Sequence, residues 1–123
     1  MSQLQMFSNS PVKASSMIGT DVVNPKGDNL GDVKEVVIDP RTGRVAYAVV
    51  SFGGFLSMGE KLFAIPFGVF DEYNVTKNEY VLGLSKARLE AAPGFNPDHW
   101  PLMSDEKWNR DVHRYYGSSP YWE

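Results

Sequence analysis

The stretch Arg44-Val45-Ala46-Tyr47-Ala48-Val49-Val50-Ser51-Phe52 constrains this chain more than any other part of it. Side chains of an extended strand alternate between two faces. Val45, Tyr47 and Val49 therefore share one face, and Ala46, Ala48, Val50 and Phe52 share the other. Both faces are apolar, so the strand has to be covered on both sides. A small barrel closed around one core buries only the inner face. The outer face needs a second cover, supplied either by the chain's own tail or by another subunit.

The flanking sequence has the same extended character. From Met17 to Ser85, short β-branched runs alternate with turn chemistry, the pattern of a sandwich or barrel. Met17 to Val23 ends at the turn-forming cluster Asn24-Pro25-Lys26-Gly27-Asp28-Asn29. In the run Leu30 to Ile38, Val33 and Val36 are out of phase whereas Val36 and Ile38 agree, which predicts a β-bulge near Lys34-Glu35. Asp39-Pro40-Arg41-Thr42-Gly43 predicts a tight hairpin with Gly43 left-handed. Gly53 to Gly59 reads as a flexible loop carrying the hydrophobes Phe55 and Leu56. Lys61 to Ile65 is a fourth strand, stopped by Pro66. Phe70 to Thr76 and Tyr80 to Leu84 form a last hairpin across Lys77-Asn78, and Ser85 caps a short helix that Pro93 ends.

Composition changes at both ends. Residues 1–16 are polar and aperiodic, and read as a disordered leader before a domain spanning 17–92. Residues 93–123 hold four of the eight prolines and all three tryptophans. Within this tail a short helix is predicted near 105–116, with Ser104 as its N-cap and Gly117 as its stop. Trp108, Val112 and Tyr115 fall on one face, with Tyr116 at its edge; Glu106, Arg110, His113 and Arg114 fall on the other, toward solvent. A lone helix of this length is marginal, so its aromatic face needs a surface to dock on.

The ordered signals resemble those of the PRC-barrel family. They are Met17-Ile18-Gly19-Thr20-Asp21-Val22-Val23, then Gly27 with Leu30-Gly31-Asp32-Val33, then Asp39 through Val50, then Ala64-Ile65-Pro66-Phe67. That family includes the cytoplasmic domain of the photosynthetic reaction-centre H subunit and the C-terminal domain of the ribosome maturation factor RimM. The tail, through Trp100-Pro101 and Val112-His113-Arg114-Tyr115-Tyr116-Gly117, looks like tails on stand-alone bacterial members. The resemblance implies an all-β fold, a small barrel of about six antiparallel strands with a short helix and an aromatic, partly helical C-terminal tail. It also implies no known catalytic centre and a role in assembling larger complexes.

The chemistry-bearing residues point the same way. There is no cysteine, which excludes disulfides, thiolate metal sites and thiol catalysis. No serine sits in a G-x-S-x-G elbow, and the two histidines, His99 and His113, both lie in the tail. They are fourteen positions apart across a helix start, without the spacing of a zinc pair, and read as surface residues. Asp28, Asn29, Asp32 and Asp39 read as turn formers rather than calcium ligands, and no phosphate-cradling loop is present. A net charge of −3 with no basic run argues against direct nucleic-acid binding. No segment has the length and apolarity of a membrane span, and no secretory signal opens the chain, so a soluble, cytoplasmic protein is expected.

The sequence thus predicts a non-enzymatic interaction or assembly module, with no catalytic residues, cofactor or metal. Its expected partners are a second copy, in a homodimer, and an unidentified protein. The candidate interface is Tyr47, Phe52, Phe55, Leu56, Trp100, Trp108, Val112, Tyr115, Tyr116, Tyr121 and Trp122. The family tie leaves two alternatives: an accessory factor in RNA processing or ribosome assembly, and an accessory to a photosynthetic reaction-centre complex.

Overall fold

The computed structural model describes residues 11–52 and 60–122. Six strands run through them: β1 (Asp21–Val23), β2 (Asn29–Asp39), β3 (Arg44–Phe52), β4 (Lys61–Pro66), β5 (Glu72–Asn74) and β6 (Glu79–Val81). The helices are α1 (Ala14–Met17), α2 (Lys86–Glu90) and α3 (Glu106–Tyr116), with a 3-10 turn at Phe67–Val69. The strands form one sheet in the order β4-β3-β2-β1-β6-β5.

Two features of the expected barrel are corrected. The sheet is mixed, because β1 and β6 pair in parallel, Val22 opposite Tyr80. It is also open, with β4 and β5 as its edges. Hydrophobic periodicity reports which face a residue occupies and carries nothing about the direction of a non-local neighbour. The sheet nevertheless curls around one core. Val22, Leu30, Val33, Ala48, Val50, Phe63, Ile65 and Tyr80 line its concave side, joined by Met17 of α1 and Leu89 of α2. Phe67, just beyond β4, meets Tyr80 of β6 edge-on at 6.2 Å between ring centroids. Side chains, rather than a ladder of hydrogen bonds, bring the two ends together.

Local chemistry explains the turns. The Asn24 side chain accepts from the Lys26 and Asp28 amides at 3.1 and 2.9 Å and donates to the Leu84 carbonyl, tying the first turn to the end of the sheet. The bulge sits where the phase of the valines requires it: Val33 pairs with Val50 and Glu35 with Val49, leaving Lys34 unpaired. Asp39 accepts from the Arg41 amide at 3.0 Å, and Gly43, at φ 75°, donates its amide to the Asp39 carbonyl. At Gly31 two backbones pass so closely that a Cβ would lie 2.0 Å from the Ser51 carbonyl oxygen. Its φ of 123° is also one that only glycine adopts readily.

Of the polar leader, residues 14–16 lie in α1, whose last residue, Met17, enters the core; residues 1–10 fall outside the described ones. So does the loop 53–59, with Phe55 and Leu56. Ser85 caps α2 by accepting from the Arg88 amide. Beyond α2 the chain returns along the outer edge of β4. There Phe95 exchanges two backbone hydrogen bonds with Leu62, both at 2.8 Å.

Candidate functional site

The convex side of β3 and β4 presents Tyr47, Val49, Leu62 and Ala64, and these residues form a second core. Its other half comes from the tail: Val112 at the centre, with Trp108, Tyr116 and Tyr121 packed around it. The outer face of β3 is therefore covered by the chain's own tail.

The helix α3 reaches this surface with a different face from the one its apolar residues mark out. Asn109, Val112 and His113 are its buried positions, with Tyr116 next on the same stripe. His113, read as a surface residue, is 1% exposed. The reason lies in the strand beneath. Tyr47, also 1% exposed, brings a hydroxyl into the interface, and a buried hydroxyl requires a partner. It donates to Asn109 Oδ1 and lies 3.5 Å from His113 Nδ1. Asn109 in turn donates to the Met103 and Asp105 carbonyls at 2.8 and 2.9 Å, fixing the approach to the helix. The N-cap is Asp105 rather than Ser104, because the Asp105 carboxylate is the group that accepts from the Lys107 amide. Gly117 closes the helix in the left-handed conformation, as expected.

Aromatic rings complete the assembly. Tyr47 lies 5.6 Å from Trp108, 5.4 Å from His113 and 5.7 Å from Tyr121 between ring centroids. Trp122 stands edge-on to His113 at 5.9 Å, and the Arg110 guanidinium lies over its ring at 5.4 Å. Burial pushes the Tyr47 phenol well above its ordinary pKa, reinforced by nearby Tyr121. The Tyr116 phenol is raised for the same first reason, and its buried hydroxyl has no hydrogen-bond partner.

Most of the predicted interface residues are thus engaged within the chain. Tyr47, Trp108, Val112, Tyr116 and Tyr121 belong to the second core. Phe52 packs on the inner core beside Phe63. Tyr115 also turns toward the inner core, and its hydroxyl donates to the Arg88 carbonyl at 2.5 Å. Trp122 covers His113, and Phe55 and Leu56 lie outside the described residues. Trp100 differs: it is 42% exposed and packs at a tilt against Phe95, 5.0 Å between ring centroids, two residues before Leu102, which is 72% exposed.

Sequence reasoning missed Asn109, His113 and Phe95. Positions 109, 112, 113 and 116 do carry the i, i+3, i+4, i+7 spacing of a buried stripe. Two of them are polar, however: the sequence reading places His113 toward solvent and Asn109 on neither face. Among the described residues no group of three or more His, Asp or Glu side chains is placed to hold a metal ion. No helix among them is long and apolar enough to cross a membrane.

Comparison with known proteins agrees with this architecture. The PRC-barrel domain model matches residues 12–89, more than half of the chain. The chain belongs to the PRC-barrel family. A protein of Deinococcus radiodurans described as uncharacterized is similar to it, 33% identical over 81 residues. That stretch is 66% of this chain and 28% of the relative, so the chain spans less than a third of the relative's length. The family match ends before the segment that begins at Pro93. The aromatic cover of β3 and β4 lies outside the matched residues.

Proposed function

We propose that this PRC-barrel protein is a non-enzymatic interaction or assembly module, and that it docks through the ridge Phe95–Leu102 beside β4. The observation that carries the reading is the division of labour among the tail aromatics. Those on α3 and after it are engaged within the chain, Trp108, Tyr116 and Tyr121 on β3 and β4 and Tyr115 on the inner core, whereas Trp100 and Leu102 remain exposed. Exposed tryptophan is favoured at interface hot spots because it supplies a large, rigid contact area. The ridge is also held in place, since Phe95 is hydrogen-bonded to the edge of β4 and its ring packs against Trp100. A preformed ridge loses little entropy on binding. Self-association belongs to the same reading, with a second copy presenting the same ridge across a two-fold axis.

Affinity capture from a lysate of the source cells, with wild type beside a Trp100→Ala/Leu102→Ser variant, tests this. A defined protein retained by the wild type, resistant to nuclease and lost with the variant, supports the proposal. Equal capture by both chains rejects the ridge. Nuclease-sensitive recovery of ribosomal proteins moves the protein to the RNA-processing class instead. Light scattering of the two chains reads the second-copy case, with a dimer expected for wild type only.

A further inference from the structure

His113 is the one histidine in the second core, and half of its ring chemistry is unused. Its Nδ1 lies 2.7 Å from the Asn109 carbonyl oxygen. A carbonyl only accepts, so Nδ1 carries the proton of the neutral ring and Nε2 is a bare acceptor. Nε2 is buried and has no partner. An unmet buried polar atom costs about 1–3 kcal/mol, and its persistence in a packed interface asks for a reason.

The surroundings supply one. His113 is among the residues that wall a cleft of about 240 Å³, with Arg44, Phe67, Ser118, Ser119 and Tyr121. A second cleft, about 290 Å³, lies on the other side of Tyr121, with Arg41 and Trp122 in its wall. Tyr121 is the partition between them. The strap that carries it, residues 118–122, is held mainly by ring contacts. Ser118 donates its amide to the His113 carbonyl as part of the helix cap. Beyond it, among the described residues, the amides of Ser119, Tyr121 and Trp122 make no hydrogen bond to the rest of the chain. Lifting this strap breaks no backbone ladder. It takes the Tyr121 and Trp122 rings off the His113 ring.

We propose that the strap is the lid of a small-molecule site whose ligand is an aromatic acid bearing a hydrogen-bond donor. The position filled by the Tyr121 ring, packed against both Tyr47 and His113, is one that accepts an aromatic ring. Nε2 requires a donor. Arg44 supplies the complement to an acid, since among the described residues no carboxylate pairs with its guanidinium. The one carboxylate in the wall of this cleft, Asp39, is already committed. It accepts from the Arg41 amide and from Thr42 Oγ1, and lies 3.6 Å from Arg41 Nε.

The test uses the full chain with ¹⁵N-labelled histidine and three probes: 4-hydroxyphenylacetate, phenylacetate, which lacks the donor, and tyramine, which inverts the charge. The hydroxy acid is expected to shift the His113 Nε2 resonance toward that of a hydrogen-bonded acceptor. It should bind about tenfold more tightly than either control. Arg44→Gln, at an exposed position, is expected to keep the fold and abolish the advantage over tyramine. Equal binding of the three probes, or no shift with any of them, overturns the site. An Nε2 resonance that already reports a hydrogen bond in the free protein, and that no probe moves, assigns the partner to a buried water and overturns it too.

Discussion

Asn109 shows how one polar residue can organise an apolar interface. Its carbonyl group accepts from Tyr47 while its amide group donates to Met103 and Asp105, so it joins the strand, the helix and the approach to the helix. Asn109→Ala leaves the Tyr47 hydroxyl and two carbonyls to find other partners. A loss of about 2–4 kcal/mol is expected in urea unfolding, more than a mid-helix surface change produces. Tyr116→Phe should act in the opposite sense. Its hydroxyl is buried without a partner, so removing it at neutral pH is expected to leave stability unchanged or raise it by up to about 1 kcal/mol. The tyrosines also set the response to alkali. Burial raises Tyr47 and Tyr116, and raises Tyr80 to about 12, with Tyr73 as a second cause. Each remains protonated in the folded chain at a pH where the unfolded chain has begun to ionise. Their contribution is complete below about pH 10, the unfolded value. It is lost as pH rises from there through the folded values. The urea midpoint should therefore fall above about pH 10, and fall less steeply in Tyr116→Phe.

At the scale of elements, the parts legible in the sequence are those fixed by local chemistry. The two-sided strand β3, the bulge at Lys34, the Asp39–Gly43 turn and the Ser85 cap each follow from residues close together in the chain. The parallel pairing of β1 with β6 does not, because those strands lie more than fifty residues apart and their alternation is the same for either direction. The buried face of α3 was hidden for a related reason. Asn109 and His113 are polar, and only the Tyr47 hydroxyl beneath them makes their burial favourable. The requirement for a cover over β3 could be read; the hydrogen-bonded cluster that secures the cover could not. Gly31 is a sharper case, since its role depends on the backbone of β3 crossing it. Gly31→Ala forces a Cβ toward the Ser51 carbonyl in an unfavourable φ region. A loss of at least about 3 kcal/mol is expected in thermal or urea unfolding, and Gly27→Ala, which meets no neighbouring atom, should cost less.

On the scale of the whole molecule, an open sheet curled around one core carries a second core on its convex side, and the tail closes that second core. This arrangement uses most of the tail aromatics for packing within the chain and leaves Trp100 and Leu102 exposed on the proposed docking ridge. Its central claim is that the tail folds back onto its own sheet. The most direct measurement is an isotope-filtered NOE experiment on an equal mixture of labelled and unlabelled chains, read between the Val112 methyls and those of Val49 and Leu62. Contacts confined to one chain are predicted, with no signal crossing between labelled and unlabelled copies. Strong intermolecular NOEs at these methyls would show the tail exchanged between subunits and would contradict the account.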